Sequence, residues 1–223
     1  MKEHPILFST EMVKAILDGR KTVTRRVVKS KLPRSFHKSS TIKWIDHTKL
    51  IKRGKLVEVY SPGWYWSDNT AVCGAINGPI RCPYGQPGDL LWVRETWCYP
   101  SLSGCGFDHP AYRQKSILYA ADGGKEYFPL GGNWTQHNRD FKWRPSIFMK
   151  KDDCRLWLRV KGVRVERVQD ITTEDALREG IQYPSEVSAY NQFIGLWDSI
   201  NEKRWSGWDV NPRVWVGEFE VVK

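Results

Sequence analysis

Hydrophobic and polar residues follow a strand-like pattern along four segments of the chain, at 22–28, 90–95, 155–168 and 213–222. Each is rich in β-branched or aromatic residues, and several alternate with a period of two. In the third segment, the hydrophobic side chains and the mostly charged ones fall on opposite faces; the first set is Leu156, Leu158 and Val160, and the second is Arg155, Trp157, Arg159 and Lys161. The pattern therefore predicts a protein built mainly of strands.

Helical patterns occur at three places. Ser9 is an N-cap candidate before a short apolar repeat that stops at Gly19. Residues 170–180 repeat that design, with a threonine cap, acids in the first turn and a terminal glycine. A longer helix is predicted from 185 to about 204, because one helical stripe carries its large apolar residues, Tyr190, Phe193, Ile194, Trp197 and Ile200.

Two Gly/Pro/Ser-rich stretches without a period, at about 29–53 and 98–142, separate these elements. Their composition predicts long loops or insertions on a compact body. No internal repeat is found in the sequence. We therefore expect an α+β fold in one elaborated domain spanning 1–223, with a curled sheet or small barrel, a short helix near the N-terminus and two helices near the C-terminus.

Positive charge is concentrated near the start of the chain. The formal net charge is +10, and residues 20–55 contain 13 Lys or Arg against one acid, Asp46. Such an asymmetry favours a polyanionic partner. A solvated loop is the alternative, and a membrane surface is a weaker one because the run has no amphipathic helical period.

Cysteine usage and the missing motifs narrow the function further. Five cysteines without a secretory signal indicate reduced thiols in a cytoplasmic protein, and no apolar run approaches the ~18 residues of a membrane span. Four of these cysteines and a histidine lie within 37 residues (Cys73, Cys82, Cys98, Cys105 and His109), but without a C-x-x-C pair. We therefore expect no metal and no cofactor.

The first candidate for chemistry is the segment at 19–26, GRKTVTRR. In a regular strand Lys21 and Thr24 point to opposite faces, so they meet only through a turn or bulge. Such a lysine, with a lowered pKa, could activate a hydroxyl. A Lys–Arg cluster with Arg25 and Arg26 could instead grip phosphate, and a basic strand on an exposed face is the plainer alternative.

A second set of candidates surrounds two aromatic segments. Glu95 and Trp97 follow an apolar strand, and a charged residue there must be paired or line a cavity. Trp143, Arg144 and Ser146 lie beside a proline-stiffened turn. Tryptophan and arginine are side chains that stack on unpaired bases, which favours single-stranded nucleic acid as a ligand.

Taken together, these segments resemble the ASCH-domain family of the PUA-like superfamily. The resemblance is carried by the opening helix with 19–25, by 85–97, by 170–181 and by 211–219. Segments 143–149 and 196–201 resemble the longer variety found in phages and prophages. The resemblance implies a β-barrel with a cleft that binds RNA or nucleosides.

One compact bacterial member of that family removes the acetyl group from N4-acetylcytidine with a Lys/Thr/Glu set. On this chain the set would be Lys21, Thr24 and Glu179, with Glu95 as a rival carboxylate. Glu179 also fits independently, because it ends a short capped helix immediately before a glycine. This chain is about twice as long as the compact hydrolase, so its insertions could cover or rebuild the cleft.

The sequence thus predicts a protein that binds nucleic acid, RNA rather than DNA, or a modified nucleoside. If it is an enzyme, the predicted reaction is amide hydrolysis by Lys21, Thr24 and Glu179. The alternative is a non-catalytic nucleic-acid-binding module that uses the same basic cleft. The predicted binding residues are Arg25, Arg26, Glu95, Trp97, Trp143, Arg144 and Ser146.

Overall fold

A computed structural model describes residues 1–29, 41–45, 49–52, 55–58, 63–67, 72–73, 80–99, 117–123, 143–182 and 188–222. The helices in these ranges are α1 (Thr10–Leu17), α2 (Thr173–Arg178) and α3 (Ala189–Asn201). The strands are β1 (Glu3–Leu7), β2 (Val23–Val27), β3 (Thr41–Ile45), β4 (Lys49–Lys52), β5 (Lys55–Glu58), β6 (Gly63–Ser67), β7 (Val72–Cys73), β8 (Leu90–Arg94), β9 (Trp97–Cys98), β10 (Leu118–Tyr119), β11 (Trp157–Arg167) and β12 (Arg213–Val222).

Five strands form the main sheet, in the order β1-β8-β11-β12-β2. β1 and β8 are parallel, and the other neighbours are antiparallel. The four predicted strand segments are therefore confirmed as β2, β8, β11 and β12. β1 was not predicted; it contains Pro5, which is tolerated because β1 is an edge strand.

The sheet is curled, so that its two edge strands approach each other. The Arg26 Nη2 of β2 donates a hydrogen bond of 2.6 Å to the carbonyl oxygen of Leu7 in β1. Among the described residues no backbone ladder joins these two strands. The predicted α+β class is therefore confirmed, but the sheet is not a closed barrel.

Two hydrophobic cores lie against this sheet. The first contains side chains of β1, α1, β8 and β11, including Phe8 and Ile16. The second joins β2 and β12 to α2 and α3 and includes Phe193 and Trp197. As the alternation in 155–168 predicts, Leu156, Leu158 and Val160 are buried, and a register shift follows between Val160 and Gly162.

The first two helices begin at the predicted caps. Ser9 caps α1 and Thr172 caps α2, each through its side-chain oxygen. α3 begins after Ser188 rather than at 185, and residues 183–187 lie outside the described ranges. No helix in the described ranges is long and apolar enough to cross a membrane.

Part of the segment predicted as a loop insertion at 29–53 is strand. It contains β3, which pairs with β6, and β4, which pairs with β5. In the second predicted insertion, at 98–142, the described part contains the β9–β10 pairing. Most of that insertion lies outside the described residues.

Candidate functional site

Two short helices end beside each other and bring Lys21 next to Glu179. After α1, Gly19 adopts a φ of 74°, which turns the chain so that the Lys21 N–H donates to the Ala15 carbonyl at 2.9 Å. After α2, Glu179 forms an isolated β-bridge with Lys21. Gly180 follows with a φ of 91°, where a Cβ atom would lie 2.8 Å from the Ala15 side chain. Glycine is therefore required here by both backbone conformation and close packing.

The Lys21 side chain is fully enclosed, with 0% exposure. Its Nζ donates to the carbonyl oxygens of Val23 and Glu179, both at 2.8 Å, and to Glu179 Oε2 at 2.6 Å. All three N–H groups of an ammonium therefore have acceptors. Burial lowers the pKa of Lys21 below its usual range, and the Glu179 carboxylate partly opposes that shift.

The second oxygen of Glu179 faces another cation. Arg25 Nη1 lies 3.3 Å from Glu179 Oε1, and Arg25 Nη2 contacts Glu166 at 2.7 Å and Asp175 at 2.6 Å. Because its guanidinium contacts three carboxylates and its side chain is buried, Arg25 is placed to hold Glu179. This differs from the predicted contact with a phosphate.

The ion pairs continue outward from Arg25. Arg164 contacts Glu166 at 3.0 Å and Asp175 at 3.0 Å, and Arg178 contacts Asp175 at 3.2 Å. Burial by itself raises the pKa of Asp175, but the hydrogen bond and charge of Arg25, with the neighbouring arginines, give a net lowering. Sequence analysis did not identify this network. Its one local signal was the acidic first turn of α2, which was interpreted only as helix capping.

An open cleft of about 720 Å³ lies beside the Lys21–Glu179 pair. Thr24, Arg25 and Glu179 line it, and all three are buried, whereas Lys21 lies enclosed behind Glu179. Arg26 also lines the cleft, and its guanidinium lies 5.3 Å from the ring centre of Phe8. The structure therefore brings together the predicted residues Lys21, Thr24, Arg25, Arg26 and Glu179.

The remaining candidates form a second group at the end of β8. Glu95 is buried, and its two oxygens accept hydrogen bonds of 3.0 and 3.1 Å from Arg155. Arg155 also contacts Asp122 at 2.6 Å and lies 4.0 Å from the ring centre of Tyr119. Burial raises the pKa of Glu95, and Arg155 partly opposes that. Because Arg155 occupies its carboxylate, Glu95 is placed as a structural ion-pair partner.

The aromatic candidates of this group differ in exposure. Trp97 is buried and forms an isolated bridge with Arg144, whose guanidinium lies 5.3 Å from the Trp97 ring centre. Trp143 is 37% exposed, and the half-buried Ser146 begins a short 3₁₀ turn. Trp97 is therefore a core side chain beneath Arg144, whereas Trp143 presents part of its ring to solvent.

The two groups lie on either side of the end of β1. Arg26 donates to the Leu7 carbonyl, and the next amide, that of Phe8, donates to the Arg94 carbonyl at 3.2 Å. Arg94 in turn donates through its side chain to the Ile147 carbonyl. The predicted site residues therefore form two groups linked through the end of β1, and they do not form one cluster.

Within the described ranges, no three His, Cys, Asp or Glu side chains are grouped as they would be to hold a metal ion. Of the four cysteines and the histidine noted between 73 and 109, Cys105 and His109 lie outside those ranges, while Cys82 and Cys98 are thiols that are not part of a disulfide. Comparisons of the chain with protein-family models, with curated proteins and with solved structures found no match.

Proposed function

We propose that the cleft beside Lys21 and Glu179 binds an N4-acylated cytidine and hydrolyses its acyl amide. The observation that carries the proposal is the enclosed Lys21–Glu179 ion pair of 2.6 Å at a cleft that Thr24 and Glu179 both line. Enclosing a charged pair is costly, and such pairs beside a cleft are typical of catalytic sites. The resemblance to the ASCH-domain family supports the acylated nucleoside as the substrate class.

In this proposal Lys21 is the general base and Thr24 is the nucleophile. The ammonium form of Lys21 has no lone pair to accept a proton, so a proton must first leave Nζ. Glu179 Oε2, at 2.6 Å, is placed to accept it. The low dielectric of the enclosed site lowers the cost of the neutral amine–carboxylic acid pair relative to the ion pair.

The amine of Lys21 then takes the hydroxyl proton of Thr24, and the Thr24 oxygen attacks the amide carbonyl carbon. The bond from that carbon to N4 breaks as N4 takes the proton now held by the Lys21 ammonium, and cytidine leaves. Water hydrolyses the resulting Thr24 ester, which releases the carboxylic acid and restores the hydroxyl. Arg25 holds the other Glu179 oxygen and keeps the carboxylate facing Lys21.

The test is turnover of N4-acetylcytidine by the purified chain, followed by chromatography of cytidine. Lys21→Arg keeps the positive charge but removes a group able to give up its proton, and Thr24→Val removes the hydroxyl at nearly constant volume. Each should lose at least about 100-fold in turnover. Glu220→Gln, a change in an exposed ion pair, is the matched control and should retain turnover.

Melting curves of the variants show whether each remains folded. A folded Thr24→Val protein with wild-type turnover would contradict the proposal. So would a wild-type protein that hydrolyses none of a panel of acylated nucleosides.

A non-catalytic nucleic-acid-binding module is the second candidate, favoured by the concentration of charge in 20–55. Contact with a few phosphates would make log affinity fall with log salt with a slope of roughly −3 to −5. Neutralising Lys29, Lys31, Arg34 and Lys38 together should flatten that slope, although the last three lie outside the described residues. An unchanged slope would contradict phosphate binding by these residues and would favour a solvated basic segment.

A further inference from the structure

The cations lining the cleft differ in whether neighbouring acids neutralise them. At the inner end, Arg25 contacts three carboxylates. Lys29 and Arg204 line the cleft and are exposed, so they mark its outer end, and together with Arg26 they form no ion pair with another described residue. The outer end of the cleft therefore carries positive charge that its own residues do not compensate.

The lining between the two ends is largely apolar and aromatic. α3 contributes Phe193, Leu196, Trp197 and Ile200 to one wall, and β2 contributes Val27 to the other. Phe193 and Trp197 are buried, whereas Ile200 is 38% exposed. A flat apolar group fits between such walls better than a strongly hydrated one.

The spacing of the two polar ends sets the length of a ligand that reaches both. Thr24 and Lys29 are five residues apart along an extended segment, or about 17 Å at the rise of a strand. A nucleobase whose acyl group lies at Thr24 does not cover that distance alone. The ligand needs further groups beyond the base, and the group at the outer end should be an anion.

We propose that the cleft takes the 5′-monophosphate of an acylated cytidine, with the phosphate held by Lys29 and Arg204 at the outer end. This inference rests on the proposed function, which places the acyl amide at Thr24. Phosphate accepts hydrogen bonds from both cations, and the uncompensated charge attracts an anion into the cleft. A volume of about 720 Å³ is within the range of pockets for single small molecules.

The experiment compares binding of cytidine and of cytidine 5′-monophosphate to the full chain by calorimetry, without requiring turnover. The monophosphate should bind at least about tenfold more tightly. Lys29→Gln combined with Arg204→Gln should reduce the ratio of the two affinities towards one. Lys203→Gln removes one positive charge from the same 3₁₀ turn as Arg204, and it should leave the ratio of the two affinities unchanged.

Equal affinities for the two ligands would overturn the inference, as would a ratio unchanged in the double variant. Tight binding of a short single-stranded RNA, with no preference for the monophosphate over cytidine, would indicate that the outer cations bind a nucleic-acid polymer, and this would also overturn the inference. The two proposals fail separately. Hydrolysis of N4-acetylcytidine without any phosphate preference refutes only the ligand class, whereas phosphate-dependent binding without hydrolysis refutes only the reaction.

Discussion

Removing the charge of Glu179 should have an effect on stability that depends on pH in a specific direction. In Glu179→Gln, Lys21 keeps its two carbonyl acceptors at 2.8 Å but loses the carboxylate at 2.6 Å. A buried charge left without its partner costs about 3–5 kcal/mol. We expect that loss in the free energy of unfolding at pH 6, measured by urea denaturation.

The loss should shrink as the pH rises. The pKa of Lys21 is already below its ordinary value of 10.5, and Glu179 raises it, so the variant lowers it further. Between the folded-state pKa and 10.5 the unfolded chain binds more protons than the folded one, so stability increases with pH. Over the pH range in which Lys21 is neutral in the folded variant but still charged in the folded wild type, the difference in unfolding free energy shrinks by about 1.4 kcal/mol per pH unit.

Two controls isolate this effect. Glu220→Gln removes a carboxylate from exposed pairs with Arg159 at 3.7 Å and Lys161 at 3.3 Å, and it should cost about 0.2–1 kcal/mol without a similar pH dependence. Lys21→Met combined with Glu179→Gln removes the titrating group, so its loss should not vary over the same range. A Glu179→Gln loss below about 1 kcal/mol at pH 6, or one that does not change up to pH 10, would refute the reasoning.

Three further predictions concern stability. Gly180→Ala should cost at least about 2 kcal/mol of unfolding free energy, because the φ of Gly180 is 91° and the new Cβ would lie 2.8 and 2.9 Å from two side-chain carbons. Gly195→Ala, in α3 with open space around it, should instead gain about 0.5–1 kcal/mol. Urea denaturation that shows both variants stabilised, or both destabilised, would contradict this. Trp97→Ala should cost about 3–5 kcal/mol and Trp143→Ala less than half of that, since only the first is buried, and a reversed order would show that the burial is misassigned. Because the pKa of Asp175 is lowered in the folded state, its ionised carboxylate stabilises the fold above the ordinary pKa of 3.8, and this stabilisation is lost as the pH falls through the folded-state pKa. The difference in unfolding free energy between Asp175→Asn and the wild type should therefore shrink as the pH falls below 3.8. A difference that stays constant with pH would contradict the lowered pKa of Asp175.

The helices and most strands of this protein are determined by residues close to one another in the chain. Ser9 and Thr172 accept hydrogen bonds from amides three residues ahead, so a cap is visible in a window of four residues. The alternation around Leu158 similarly identifies a strand with one buried face. β1 escaped prediction because its five residues include a proline, which is acceptable only at a sheet edge, and edge position depends on the whole sheet.

Local pattern was sufficient to select Lys21 and Glu179 as candidates with the help of the family resemblance, but not to assign their partners. Lys21 and Glu179 are 158 residues apart, Arg25 and Glu166 are 141 apart, and Arg155 and Glu95 are 60 apart. Which acidic side chain contacts which basic one at such separations depends on the order and register of the strands. The helical and strand periods of the sequence do not predict that order or register. The structure therefore adds what the sequence could not assign: the side chain of Arg25 contacts Glu166, Asp175 and Glu179, and the carboxylate of Glu95 contacts Arg155, through the strand order of the curled sheet.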